Sequence, residues 1–189
     1  YDGDPSVKPM IPVFINSVSR PFTKMARVRK LGAAIGEYFK NSDKKVLFIG
    51  SGGLSHDPPG PRFHEATAEQ KEFIVAGRNP TPEARATRQE RTINTAIAFA
   101  KGKADIQELN PEWDQNFMRI CREGSLEEFD SFTPDEMDAA AGHSSHEVRT
   151  WVAAYSALRA CGDYEVTYEF YKPIKEYIAG FGVTTAVLK

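Results

Sequence analysis

Residues 44–59 read Lys-Lys-Val-Leu-Phe-Ile-Gly-Ser-Gly-Gly-Leu-Ser-His-Asp-Pro-Pro and combine an apolar run, a glycine-rich turn and a histidine. The unbroken apolar run 46–49 is typical of a short strand buried on both faces. The glycines that follow end the strand and permit sharp backbone turns. His56 comes next, where open α/β sheets place their ligand crevice. The stretch therefore predicts a buried strand that delivers a histidine to a binding site.

The rest of the chain predicts a single domain of the α/β class, with a mixed β-sheet core flanked by helices and a helix-rich second half. A strand over residues 10–16 and an amphipathic helix ending near Phe39 would complete a parallel, right-handed β-α-β unit. Helical patterns follow over four segments, and a half-buried strand alternates over 164–170. These helices are predicted over 65–75 and 83–101, from the Asn110-Pro111 start to Gly124, and over 146–161. The tail, 173–189, contains an Ala-Gly-Phe-Gly run that predicts mobility.

Composition and charge exclude several classes of protein. The chain has 189 residues and a formal net charge of −2, which gives no reason to expect nucleic acid or an anionic membrane as partner. No apolar run approaches the ~20 residues that span a bilayer. Cys121 and Cys161 have no metal-ligand spacing and predict reduced thiols of a cytoplasmic protein.

The glycine turn, residues 50–56, can be compared with a dinucleotide-binding loop and with a catalytic histidine site. It nearly matches G-x-G-x-x-G, but the third position is serine and no helix start follows, so a dinucleotide site is disfavoured. His56 itself has two interpretations: a loop histidine with a structural hydrogen bond, or a general acid or base whose pKa lies near neutrality.

Residues 143–147, His-Ser-Ser-His-Glu, carry ligand types that suit a metal. Their spacing is not that of a zincin, and Ser144 with Glu147 forms a capping box, so the pattern favours a helix cap. A zinc-type hydrolase using His143, His146, Glu147 and His56 stays open as an alternative. His64, on a polar segment, is predicted at the surface.

Taken together, five segments of the chain resemble, in order, the class III extradiol ring-cleavage dioxygenases. These segments are Pro12–Asn16, Val46–His56, Leu109–Asp114, His146–Ala154 and Tyr171–Gly182. The resemblance implies an enzyme that opens a catechol ring beside its diol with O2, on 3-(2,3-dihydroxyphenyl)propionate or a related acid. It implies a homo-oligomer with neither nucleic acid nor membrane as partner.

The same resemblance assigns the candidate site residues. The family binds Fe(II) through two histidines and a glutamate, and its glutamate lies in a Glu-x-x-x-Trp motif that Glu147 and Trp151 match. Glu147 is then a metal ligand rather than a cap, and His146 is only its neighbour. The histidine after the Gly-Gly-Leu-Ser turn, His56, is then the active-site base.

One departure from the family is large. In the family, the two iron-binding histidines lie in an amino-terminal segment. A second active-site histidine, which acts as an acid, lies there too. This sequence has no histidine before His56. We therefore expect the chain to be the carboxyl-terminal portion of a larger catalytic domain. The other interpretations are a subunit completed by another chain and a non-catalytic partner or remnant.

Overall fold

The computed structural model describes residues 9–60, 62–77 and 79–189. Within them, the helices are α1 (Met25–Phe39), α2 (Ala68–Ala76), α3 (Pro82–Ala100), α4 (Pro111–Glu123), α5 (Pro134–Ala141) and α6 (Arg149–Cys161). The strands are β1 (Tyr164–Ile174) and β2 (Ala179–Leu188). Short 3₁₀ turns occupy Leu126–Ser131, Ser145–Val148 and Lys175–Tyr177. The predicted helices are confirmed, except that residues 65–67 and 146–148 precede α2 and α6. The second half is rich in helices, as predicted.

Helices α1 and α6 form the scaffold of the domain. They approach so closely that a Cβ on Gly32 would lie 2.2 Å from the Ala153 carbonyl oxygen. A Cβ on Gly36 would lie 2.1 Å from the Ala157 carbonyl oxygen. The apolar faces of α1, α4 and α6 then enclose the main core. Its largest buried side chains include Met25, Phe117, Met118, Ile120, Phe129 and Val152.

Strands β1 and β2 form an antiparallel hairpin that pairs Tyr164 with Leu188 and Ile174 with Ala179. The half-buried strand predicted over 164–170 is confirmed. The prediction of a mobile tail is wrong, because the Gly-rich run is the first part of β2. A Cβ on Gly182 would meet the Leu54 side chain at 2.9 Å, so the glycine allows β2 to pack closely against the glycine turn.

The predicted parallel β-α-β unit is not formed. Residues 10–16 and 46–49 form no strand within the described residues, and the only sheet there is the β1–β2 hairpin. A strand buried on both faces needs hydrogen-bonding neighbours and a layer over each face. Here Leu47 and Ile49 are 78% and 69% exposed. The α/β class is confirmed, but by helices around an antiparallel hairpin.

Helix α4 begins and ends as its sequence predicts. The Asn110 side chain accepts a hydrogen bond from the Trp113 backbone N–H at 3.0 Å, and Pro111 opens the first turn. Gly124 ends the helix in the left-handed conformation, with φ of 73°. These boundaries fix the position of Asp114 one turn into the helix.

No helix in the described part of the chain is both long and apolar enough to span a membrane.

Candidate active site

The glycine turn is held against the start of α6 by side chains that bond to its backbone. The Trp151 indole N–H donates to the Gly52 carbonyl oxygen at 3.0 Å. The Thr150 hydroxyl donates to the Ser51 carbonyl oxygen at 2.6 Å. Glycine is required for this proximity, because a Cβ on Gly50 would lie 2.7 Å from the Thr150 carbonyl oxygen. The turn and α6 are therefore one structural unit.

Glu147 points from the 3₁₀ turn before α6 to the glycine turn. Its carboxylate accepts a hydrogen bond from the Gly53 N–H at 3.0 Å. The interaction with His56 lowers the pKa of Glu147, and the Gly53 bond adds to this against the opposing effect of burial. The Ser144 side chain makes no capping bond, so the capping-box interpretation of residues 144–147 is wrong. The local pattern fails because Glu147 bonds a residue distant in sequence.

His56 lies beside this carboxylate in a defined tautomer. Its Nδ1 lies 2.8 Å from the Leu54 carbonyl oxygen, and since a carbonyl only accepts, Nδ1 carries a proton. Its Nε2 lies 3.7 Å from Glu147 Oε2. Burial lowers the pKa of His56, but Glu147 and the Leu54 carbonyl outweigh it and leave the pKa above its ordinary value. Nε2 is therefore the nitrogen that remains available for proton transfer.

The backbone of His56 is also fixed. Its N–H donates to the Ala141 carbonyl oxygen at 2.9 Å, and its own carbonyl oxygen accepts from the Ser144 N–H at 3.2 Å. One residue earlier, the carbonyl oxygen of Ser55 accepts from the Gly180 N–H at 2.8 Å. The end of α5, the start of β2 and the turn before α6 thus converge on one histidine.

Asp114 is a buried carboxylate next to this histidine that the sequence did not single out. It accepts hydrogen bonds from the Ser55 N–H, the Ser55 hydroxyl and the Tyr171 hydroxyl, each at 2.7 Å. Burial raises the pKa of Asp114, partly offset by the bonds to Ser55 and Tyr171. Its sequence signals are the Asn-Pro helix start and its place at the end of the family-like segment Leu109–Asp114, and neither indicates its partner.

His146 is part of a separate, structural cluster. Its Nε2 lies 2.6 Å from Asp138 Oδ1, and its Nδ1 accepts from Arg149 at 2.6 Å. Its ring stacks on Phe22 with centroids 3.8 Å apart. Burial, with the positive charge of Arg149, lowers the pKa of His146 to about 4 against the opposing effect of Asp138. With both ring nitrogens engaged, His146 is not a metal ligand in this arrangement.

The remaining histidines also lie apart from Glu147. His143 Nδ1 is 3.4 Å from Asp57 Oδ2, and His64 Nε2 is 3.2 Å from the Arg20 carbonyl oxygen at the surface, where its position was predicted. The described residues contain no group of three histidine, cysteine or acidic side chains able to hold a metal ion. The zinc-site alternative built on His143, His146, Glu147 and His56 is therefore wrong for this structure.

An open apolar groove of about 650 Å³ borders the site. It is lined by segment 46–53 and by residues of β2, together with Glu147 and Trp151. Exposed apolar side chains of both walls face solvent here, among them Leu47, Ile49 and Phe181. The side chain of Glu147 is 42% exposed and lines this groove.

Comparison with known proteins bears on this arrangement. Residues 5–187 match the family described as the catalytic LigB subunit of aromatic ring-opening dioxygenase. The chain belongs to this family. The match covers nearly the whole sequence, which confirms the resemblance to the class III extradiol enzymes and the family's fold class. The family assigns no role to individual residues, so the roles of His56 and Glu147 remain predictions.

Similar proteins carry more specific names. The sequence is 67% identical over 187 residues to a 2,3-dihydroxyphenylpropionate/2,3-dihydroxicinnamic acid 1,2-dioxygenase of Rhodococcus globerulus, covering 99% of the chain. It is 66% identical to the protein of the same name from Rhodococcus rhodochrous and 52% identical to that from Rhodococcus jostii. The chain spans about 60% of the length of these relatives.

Proposed function

We propose that this chain forms the carboxyl-terminal portion of a catalytic domain that opens a catechol ring beside its diol. The substrate class is a 2,3-dihydroxyphenyl acid, with 3-(2,3-dihydroxyphenyl)propionate as the first candidate, and the co-substrate is O2. The names of the relatives support this substrate class. The observation that carries the proposal is the pairing of His56 Nε2 with the Glu147 carboxylate, 3.7 Å apart, beside an open groove.

His56 acts as the general base in this proposal. Because Nδ1–H is donated to the Leu54 carbonyl, the neutral ring presents a lone pair on Nε2. A substrate hydroxyl within hydrogen-bond reach of that nitrogen would transfer its proton there. The imidazolium that forms is stabilised by the nearby Glu147 carboxylate. Hydrogen bonds fix the His56 backbone, and the Nδ1–H bond to the Leu54 carbonyl oxygen holds the ring.

The proposed cofactor is Fe(II), to which this chain contributes one ligand. Glu147 fits that role because its side chain lines the groove and its carboxylate is ionised and fixed on one side by the Gly53 N–H. The described residues do not complete a metal site. We propose that the two histidine ligands come from a preceding segment that packs in the groove. Iron, when bound, would supply the chemistry of oxygen activation.

The compartment and assembly are also proposals. Free Cys121 and Cys161 support a reducing, cytoplasmic environment. A homo-oligomer follows from the family resemblance alone.

The decisive experiment uses the complete gene product that carries this sequence, loaded with Fe(II) and supplied with the catechol. Oxygen uptake and ring-opened product are measured beside iron content. We expect His56→Ala to keep its iron but to lose about 10²- to 10⁴-fold in turnover. We expect Glu147→Ala to lose iron. His64→Ala, a surface histidine, is the matched control and should keep both.

Two outcomes would contradict the proposal. If Glu147→Ala retained full iron and turnover, Glu147 would not be a ligand. If the iron-loaded wild-type protein consumed no oxygen with any 2,3-dihydroxyphenyl acid, the chain would instead belong to a non-catalytic member of the family.

A further inference from the structure

One peptide group lies between Asp114 and His56. The N–H of the Leu54–Ser55 peptide donates to Asp114 Oδ1 at 2.7 Å. The carbonyl oxygen of the same peptide accepts from His56 Nδ1–H at 2.8 Å. The two bonds lie at opposite ends of one planar amide, so a charge at one end polarises the bond at the other. Asp114 therefore reaches the imidazole without touching it.

The Asp114 carboxylate is held rigidly for this interaction. Its second oxygen, Oδ2, accepts from the Ser55 and Tyr171 hydroxyls, each at 2.7 Å. The Ser55 hydroxyl in turn accepts from the Asn110 N–H at 3.0 Å, so its proton is directed at Asp114. A Cβ on Gly180 would lie 1.9 Å from Oδ2, so the backbone of β2 packs directly against the carboxylate.

We propose that Asp114 is a positioning residue for His56 and acts through the Leu54–Ser55 peptide. The carboxylate polarises the amide, makes the Leu54 carbonyl a stronger acceptor, and so holds the ring as the Nδ1–H tautomer. This tautomer leaves Nε2, the nitrogen that faces Glu147, without a proton. In enzymes with an Asp–His pair the carboxylate bonds the imidazole directly, whereas here a peptide group stands between them. The benefit to catalysis rests on the proposed function, but the tautomer does not.

The proposal is tested by nitrogen NMR of the complete gene product. The protein is labelled with ¹⁵N-histidine and is studied metal-free at alkaline pH. Under these conditions the imidazoles are neutral, and the ring shifts show which nitrogen carries the proton. We expect wild-type His56 to be the Nδ1–H tautomer. Asp114→Asn keeps the shape but removes the charge, and the ratio of Nδ1–H to Nε2–H should fall about fivefold, because the Leu54 carbonyl loses the polarisation that strengthens its bond to Nδ1–H.

A second variant guards against misfolding at position 114. Gly180→Ala changes no polar group but displaces the Asp114 carboxylate, so it should shift the His56 tautomer ratio in the same direction. Asp138→Asn is the matched control, since Asp138 is a carboxylate that bonds a different histidine, His146. It should change the His146 signals and leave those of His56 unchanged.

The proposal is overturned if folded Asp114→Asn and Gly180→Ala both keep the wild-type His56 ratio, or if Asp138→Asn shifts it equally. In the complete iron-loaded protein, Asp114→Asn should lower kcat with KM and iron content unchanged. Absence of ring cleavage in the wild type would refute the proposed function while leaving the NMR result intact. The two failures are therefore distinguishable.

Discussion

Gly52 and Glu147 are packed so closely that a Cβ on Gly52 would lie 2.5 Å from the Glu147 Cβ. The same residue, Gly52, receives the Trp151 indole bond on its carbonyl oxygen. The glycine therefore sets the distance between the turn that carries His56 and the helix start that carries Glu147. Its role is to allow close approach, and phosphate binding is not needed to explain the Gly-rich sequence.

Replacing Gly52 should therefore damage the site and the fold together. Gly52→Ala forces the Glu147 backbone and Cβ away, and we expect a loss of about 1–3 kcal/mol of stability in thermal or urea unfolding. Gly60→Ala is the control, because a Cβ there meets nothing within 4 Å. Equal stability of the two variants would contradict the close packing described.

The α1–α6 contact gives a prediction with an unusual sign. An alanine in place of a helical glycine normally stabilises a helix by about 1 kcal/mol. At Gly36 the added Cβ would lie 2.1 Å from the Ala157 carbonyl oxygen. We expect Gly36→Ala to destabilise by about 2–4 kcal/mol instead, measured by denaturant unfolding. Ala34→Gly, an exposed change in the same helix, should cost only about 1 kcal/mol. A higher melting temperature for Gly36→Ala would refute this.

The cluster around His146 predicts acid sensitivity. Its pKa falls from an ordinary 6.5 to about 4 in the folded protein, so between these values only the unfolded state binds the proton. Stability is then fully present above pH 6.5 and falls by about 1.4 kcal/mol per pH unit as the pH drops toward 4. The measurement is urea unfolding across this range. His146→Gln should flatten the slope there, and an unchanged slope would show that another group is responsible.

The two thiols should differ in reactivity. Cys121 is buried, and its burial, with a smaller effect of Glu169, raises the pKa of its thiol well above the ordinary value. Cys161, at the end of α6, is only partly buried. A thiol reagent should modify Cys161 in the native protein and Cys121 only on unfolding. Cys161→Ser should abolish the reaction of the folded protein. If the folded variant reacted as fast as the folded wild type, the burial of Cys121 would be contradicted.

Local signals in the sequence predicted local structure well. The Asn110 cap, the Gly124 stop and the alternation over 164–170 depend on neighbouring residues, and each is confirmed. Such interactions join residues only a few positions apart, so a short window of sequence shows both partners.

Signals that depend on distant partners were missed or misread. The apolar run 46–49 has strand character, but no strand pairs with it in the described residues. The Ser144–Glu147 pattern is a valid cap sequence, yet the carboxylate bonds Gly53, 94 positions away. The Ser55–Asp114 contact spans 59 positions and leaves no periodic trace. The resemblance located His56 and Glu147, whereas the structure alone brought Asp114 beside them.

The convergence of distant segments on His56 has a kinetic consequence. The turn that holds the histidine is synthesised before its supports, which come from α5, the start of α6 and the beginning of β2. Closing such long loops is slow relative to forming helices. The helices should therefore form first and the imidazole become ordered last, once β2 has left the ribosome. Until then the apolar residues around the glycine turn remain exposed to chaperones and to one another.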